Sequence, residues 1–214
     1  SLSFTFQFYF DFSGYVDMAT GSALMLNIFL PRNFNSPYRA LSIINFWQRW
    51  HITLTNFLTN YLYIPILMSL KNINFFKSMF FLLLVFVIAG LWHGPSWNFV
   101  LFGLFHGLGL IINHIYKKYL NYNIHIALKW FLTFNFVNIS FVLFRYSDFE
   151  ISRKIIWNLF NIKAILVENN FTYFTSYFLN PFADVKFITI FLLSFVVCFS
   201  FNNSYSLIEK YIKK

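Results

Sequence analysis

Four runs of this chain are nearly unbroken hydrocarbon: residues 78–92, 95–116, 126–144 and 185–201. A bilayer core takes about 20 apolar residues per helix, and in lipid each segment must satisfy its own backbone polar groups. The runs therefore predict an all-α, polytopic transmembrane protein. Composition agrees: of the 214 residues 58% are hydrophobic and 11% charged, against about 25% charged in soluble domains. The first run is short, which leaves a re-entrant course open. The N-terminal block is apolar but interrupted by Asp11 and Asp17, which at membrane depth should face protein or water, line a cavity or cap helix ends around Gly14. Residues 45–67, rich in Trp and Tyr, predict an interfacial or re-entrant helix.

The charge pattern bounds function. The net charge of +9 is scattered, without the clustered stripe of a nucleic-acid binder. Lys71 and Lys77 precede the first run, Lys117 and Lys118 follow the second, and Lys210, Lys213 and Lys214 follow the fourth. With four crossings all three clusters fall on one side, the cytoplasmic one. The 33 Phe residues accompany abundant Asn, Lys and Ile, so they read as compositional bias. The single Cys198 lies in apolar surroundings and reads as a packing residue. The expected organisation is a core over 1–144, an extramembrane or interfacial connection over 145–184, and a C-terminal transmembrane helix with a basic tail over 185–214. With no initiator Met or signal-peptide features, the chain is expected to begin inside a longer protein.

His93 stands between the first two runs and His106 within the second; histidine titrates near neutral pH, and its place inside a membrane is a functional hypothesis by default. His93 precedes Gly94-Pro95, a pair that breaks one helix and starts the next. Irregular backbone at membrane depth survives only where it is buried in protein or lines a cavity, so His93 is the better placed for chemistry. His106, between Gly103 and Gly107, reads as a packing residue; His114 and His125 read as solvated loop-end residues. The spacings of His51, His93 and His106 fit no helical zinc motif, and no metal site is expected. No nucleophile motif is present either. An enzyme of this make-up would use His as general base on a bound hydroxyl, with the other reactant already activated, as in a thioester.

The blocks "YFDFSGYVDMATGSALMLNIFLPRNFNSPYRALSIINFWQRWHITLTNFLTNYLYIP" and "GLWHGPSWNFVLFGLFHGLGL" resemble the membrane-bound O-acyltransferases, in the branch of alginate and peptidoglycan O-acetyltransferases. The resemblance covers Phe4 to about Asn113; residues 126–214 share only hydrophobicity. Thr59-Asn60 stand where relatives often carry Arg-Asp, and Leu67-Met68 where they carry Gly-Gly. The resemblance implies a multi-helix enzyme of the bacterial inner membrane with a central tunnel. It implies no bound cofactor, with acetyl-CoA or another acyl thioester as donor substrate. The membrane lipid and an extracytoplasmic SGNH-type acetyltransferase are the other implied partners. His93 matches the family's catalytic histidine and His51 a second one, which is expected to orient substrate or support the tunnel. Trp92, Trp97, Asn98, Trp50, Arg49 and Asp17 are candidates for lining that tunnel. D-alanyl transfer to teichoic acid, a transporter component with an Asp and His ion path, and a truncated remnant are the alternatives.

Overall fold

The computed structural model describes residues 1–120, 122–161, 181–201 and 203–206. Their regular structure is all helical, with no strand among them. Helix α1 spans Leu2–Met25, followed by a 3₁₀ turn at Pro37–Arg39 and the short α2, Ile43–Trp47. Next come α3, Ile52–Phe57, a π-helical turn at Leu58–Tyr63 and α4, Ile64–Met68. The hairpin of α5, Phe75–His93, and α6, Trp97–Ile115, leads to α7, Ile126–Arg145. Amphipathic α8, Phe149–Phe160, and α9, Pro181–Ser200, complete the order.

Among the described residues three helices are long and apolar enough to cross a membrane: Phe75–His93, Trp97–Leu120 and Ile126–Arg145. The first exceeds the predicted run because Asn74 caps it, its Oδ1 accepting from Lys77 N–H at 2.8 Å. The second is lengthened by a π-helical continuation, Tyr116–Leu120. Lys118 Nζ lies 4.1 Å from the centre of the Phe75 ring, so the basic ends of α5 and α6 adjoin. At the other end Ser96 Oγ donates to Ser147 O at 3.0 Å, bringing the end of α7 to the His93 turn. The third basic cluster, Lys210, Lys213 and Lys214, and residues 162–180 of the expected connection lie outside the described residues.

Three expectations are corrected. Helix α1 runs unbroken through Gly14, so neither Asp11 nor Asp17 caps a helix end there. The 45–67 stretch is interrupted once rather than being one helix: after α2 ends, His51 takes a left-handed backbone conformation (φ 43°, ψ 53°) from which α3 starts afresh, and α3, the π-helical turn and α4 then run on without a break. His114 is half-buried in the last turn of α6 rather than at a loop end; His125 is exposed and caps α7, its Nδ1 accepting from Ala127 N–H at 3.3 Å.

α5 and α6 touch backbone to backbone. A Cβ on Gly90 would strike the Phe99 carbonyl oxygen, and one on Gly103 the Phe86 carbonyl oxygen. Small residues at such crossings let helices approach where lipid offers no hydrophobic drive. The core beneath is aromatic: Phe8, Phe34, Phe46 and Phe141 enclose Trp50 at centroid distances of 5.1 to 5.6 Å.

His106 is fully buried in this core. Trp47 Nε1–H donates to its Nδ1 at 3.2 Å, so Nε2 carries the hydrogen and donates to Ser140 Oγ at 2.8 Å. Ser140 in turn donates to Val137 O at 2.7 Å. The ring is a neutral tie joining α2, α6 and α7, as its flanking glycines suggested. Replacing His106 with Ala is expected to cost about 3 kcal/mol, from a cavity and an orphaned indole N–H. Thermal unfolding of the purified protein checks it; a midpoint within 1–2 °C of wild type contradicts the assignment.

Candidate functional site

His93 closes α5, and Gly94 turns the chain with a φ of 156°, a conformation that favours glycine. A Cβ there would also lie 2.9 Å from Phe99 Cε2. The half-buried His93 ring rests edge-on against Phe144 at 5.0 Å and beside Trp92 at 5.1 Å, with Phe99 and Phe102 farther off. Neither of its nitrogens has a hydrogen-bond partner among the described residues.

His51 stands at the start of α3. Its ring meets Phe12 edge-on at 4.9 Å, and its Nδ1 lies 3.1 Å from Asn33 Oδ1. The same oxygen accepts from Thr53 Oγ at 2.9 Å and from Thr53 N–H at 3.4 Å. Burial first, and then the nearby His93, lowers the His51 pKa from 6.5 to about 4. The ring is therefore neutral near pH 7. Its folded pKa lies below the unfolded value, so its burial is tolerated fully above about pH 6.5 and destabilises increasingly as pH falls toward 4. The unfolding midpoint of wild type is expected to drop from pH 7 to pH 4.5 by more than that of His51→Gln; equal drops contradict the assignment.

Beside His51 opens an apolar cavity of about 440 Å³, lined also by Leu54, Leu58, Leu62, Ile88 and Trp92. The π-helical turn brings Leu58 and Leu62 onto its wall; such turns frequently occur at functional sites. A second, smaller cavity of about 250 Å³ is lined by Asn33 together with Asp17, Arg32 and Asn203.

The chain was matched against known proteins. The family described as MBOAT, membrane-bound O-acyltransferase, matches residues 1–147. This chain belongs to that family. It is 44% identical over 169 residues to the peptidoglycan O-acetyltransferase of Helicobacter pylori, covering 77% of this chain and 32% of that protein. It is 37% identical to the probable alginate O-acetylase AlgI of Pseudomonas aeruginosa, over 75% of this chain and 31% of that one. It is 31% identical to a teichoic acid D-alanyltransferase of Streptococcus thermophilus, over 65% of this chain and 39% of that one. The chain thus spans about a third of the length of the curated relatives it matches. The match runs past Asn113 through α7, so the resemblance was drawn too short. As a member of the MBOAT family with three membrane-length helices, this is an integral membrane protein.

The other residues singled out in the sequence are spread around this pair. Trp92 borders the apolar cavity and is 68% exposed; Trp97 is 78% exposed on the outer side of α6. Trp50 is sealed among aromatic rings. Asn98 is fully buried, its amide donating to Tyr146 O at 2.5 Å and Ser152 Oγ at 3.0 Å, so it ties α6 to α8. Arg49 grips Asn45 Oδ1 at 3.0 Å and Asn35 O at 3.2 Å. Asp17 is exposed, borders the smaller cavity and accepts from Ser204 Oγ at 2.8 Å. Sequence reasoning missed Asn33 and Thr53. The signal for Asn33 was the Pro31–Tyr38 block, which counted only as a marker of resemblance.

Proposed function

We propose that this chain carries the acyl-transfer centre of an O-acetyltransferase acting on a cell-surface polysaccharide or peptidoglycan, in the bacterial inner membrane. The observation that carries the reading is His93: an imidazole without a hydrogen-bond partner among the described residues, at a helix break, near a second, neutral histidine that lines an apolar cavity. In the reaction His93 takes the proton of an acceptor hydroxyl as its oxygen attacks the thioester carbonyl carbon. The C–S bond breaks, and the departing thiolate takes up a proton. His51, neutral, donates or accepts a hydrogen bond that holds one reactant in line. The donor is acetyl-CoA or another acyl thioester, and a hydrocarbon-walled cavity suits a donor arm shielded from water.

Basic residues at one end of the α5–α6 hairpin assign that end to the cytoplasm. The His93 turn then faces the side from which a cell-surface acceptor arrives, and where an SGNH-type partner would receive the acetyl group. The identities favour acetyl over D-alanyl transfer, 44% against 31%. The test is ester-linked acetate on cell-surface glycan when the full-length protein carries His93→Ala. Wild-type acetate with normal membrane abundance overturns the assignment.

A further inference from the structure

We propose that Asn33 is a positioning residue for His51, whose side-chain oxygen holds the imidazole with its hydrogen on Nδ1 and leaves Nε2 bare on the ring that borders the apolar cavity. The catalytic consequence rests on the function proposed above; the tautomer itself does not. The hydrogen-bond pattern carries the argument. Thr53 N–H can only donate, and it points at the Asn33 side-chain atom 3.4 Å away, so that atom is the amide oxygen. Thr53 Oγ reaches the same oxygen at 2.9 Å. An amide oxygen offers no hydrogen, so His51 Nδ1, 3.1 Å away, must be the donor. The other nitrogen is then the ring's lone-pair atom.

The backbone holds Asn33 for this role from both sides. Ile52 N–H donates to Asn33 O at 2.9 Å, and Asn35 N–H donates to Arg49 O at 2.9 Å. Arg32 fastens the same loop to itself, through Phe34 O at 2.9 Å and Asn35 Oδ1 at 2.5 Å. The Pro31–Tyr38 block thus clamps the segment Arg49–Thr53, with His51 held in its left-handed conformation between the clamps. A residue kept in so sparsely populated a region is one the surroundings over-determine, a pattern that gathers at functional sites. The groups around the ring are the neutral Phe12 from α1, neutral Asn33 and Thr53, His93 from the end of α5, and the guanidiniums of Arg32 and Arg49, which are engaged within the loop. No carboxylate contacts His51 among the described residues.

A carboxylate at position 33 would favour the charged imidazolium. The experiment uses the full-length protein in lipid nanodiscs with ¹⁵N-labelled histidine, the His51 signals assigned by their loss in His51→Gln. Wild type is expected to show the Nδ1–H tautomer, and Asn33→Leu a shift toward Nε2–H. An Nε2–H tautomer in wild type, or Nδ1–H retained in Asn33→Leu, overturns the proposal. Asn33→Asp, nearly isosteric, covers the case in which the Leu variant fails to fold. Its His51 titration is expected to rise by about one pH unit or more, and an unchanged titration overturns the proposal. Acetylation measured against pH in the same variant separates the two readings. An acid limb that moves up with the titration supports both. A moved titration with an unmoved acid limb upholds Asn33 as the holder of His51 and removes His51 from the reaction.

Discussion

Replacing His93 with Ala in the full-length protein lowers cell-surface O-acetylation by about 10²- to 10⁴-fold, the usual worth of a positioned general base. Protein abundance stays normal, because the ring lacks hydrogen bonds among the described residues and is only half-buried. Its ring contacts with Phe144 and Trp92 are edge contacts whose loss is worth about 1 kcal/mol. This separation between activity and folding is the informative part. His106→Ala should do the reverse, reducing stability through its ties to Trp47 and Ser140. His93→Gln, which keeps a hydrogen-bonding side chain but removes the base, should be as inactive as His93→Ala. If Gln restores much of the acetylation, the residue positions a reactant and another group takes the proton. Radiolabelled acetyl donor supplied to membranes gives the same comparison without the later steps of export.

Gly103→Leu is expected to remove the protein from the membrane fraction. The Phe86 carbonyl oxygen occupies the place its Cβ would take, and Val87 Cα lies 3.1 Å from that place. Backbone cannot rotate out of the way as a side chain can, so α5 and α6 must part. Overpacking of this kind costs on the order of 3 kcal/mol or more. Parting the helices also undoes the opposite contact, Gly90 against Phe99 O, and moves His93 relative to Phe99 and Phe102. Gly14→Leu is the control, since nothing lies within 4 Å of a Cβ there. Quantitative blotting of membranes and protease resistance report the difference; equal yields of the two variants contradict the packing argument.

What could be read from the sequence was mostly local. The break at Gly94-Pro95 depends on two residues with strong backbone preferences, and the helices on either side begin and end there. The hydrophobic runs located α5, α6 and α7 because apolar length alone dictates a crossing. Helix α1 was harder. Its acidic residues looked like interruptions, yet neither breaks a helix, and both are exposed along it. The pieces between 43 and 68 could not be foreseen, because their divisions rest on tertiary partners. Asn113 Oδ1, from α6, accepts from Ile43 N–H at 2.7 Å to start α2, and Asn33 helps hold the turn at His51. Motif resemblance singled out both candidate histidines; only the fold shows that Asn33 stands between the loop and one of them. Trp50 and Asn98 looked like tunnel residues by adjacency to a histidine. In the structure the first is aromatic core and the second a buried tie between helices.

Arg39, in the 3₁₀ turn just after the Asn33 loop, donates to Cys198 O at 3.3 Å and to Phe201 O at 2.6 Å at the end of α9. Those carbonyls belong to a helix terminus that its own backbone leaves open. The ribosome makes α9 some 150 residues after this arginine. During synthesis the cation must wait, hydrated or held by headgroups, while the earlier helices enter the membrane. The latch closes only once the later segment has emerged, so the fastening of the loop that supports His51 is among the last contacts the chain can make.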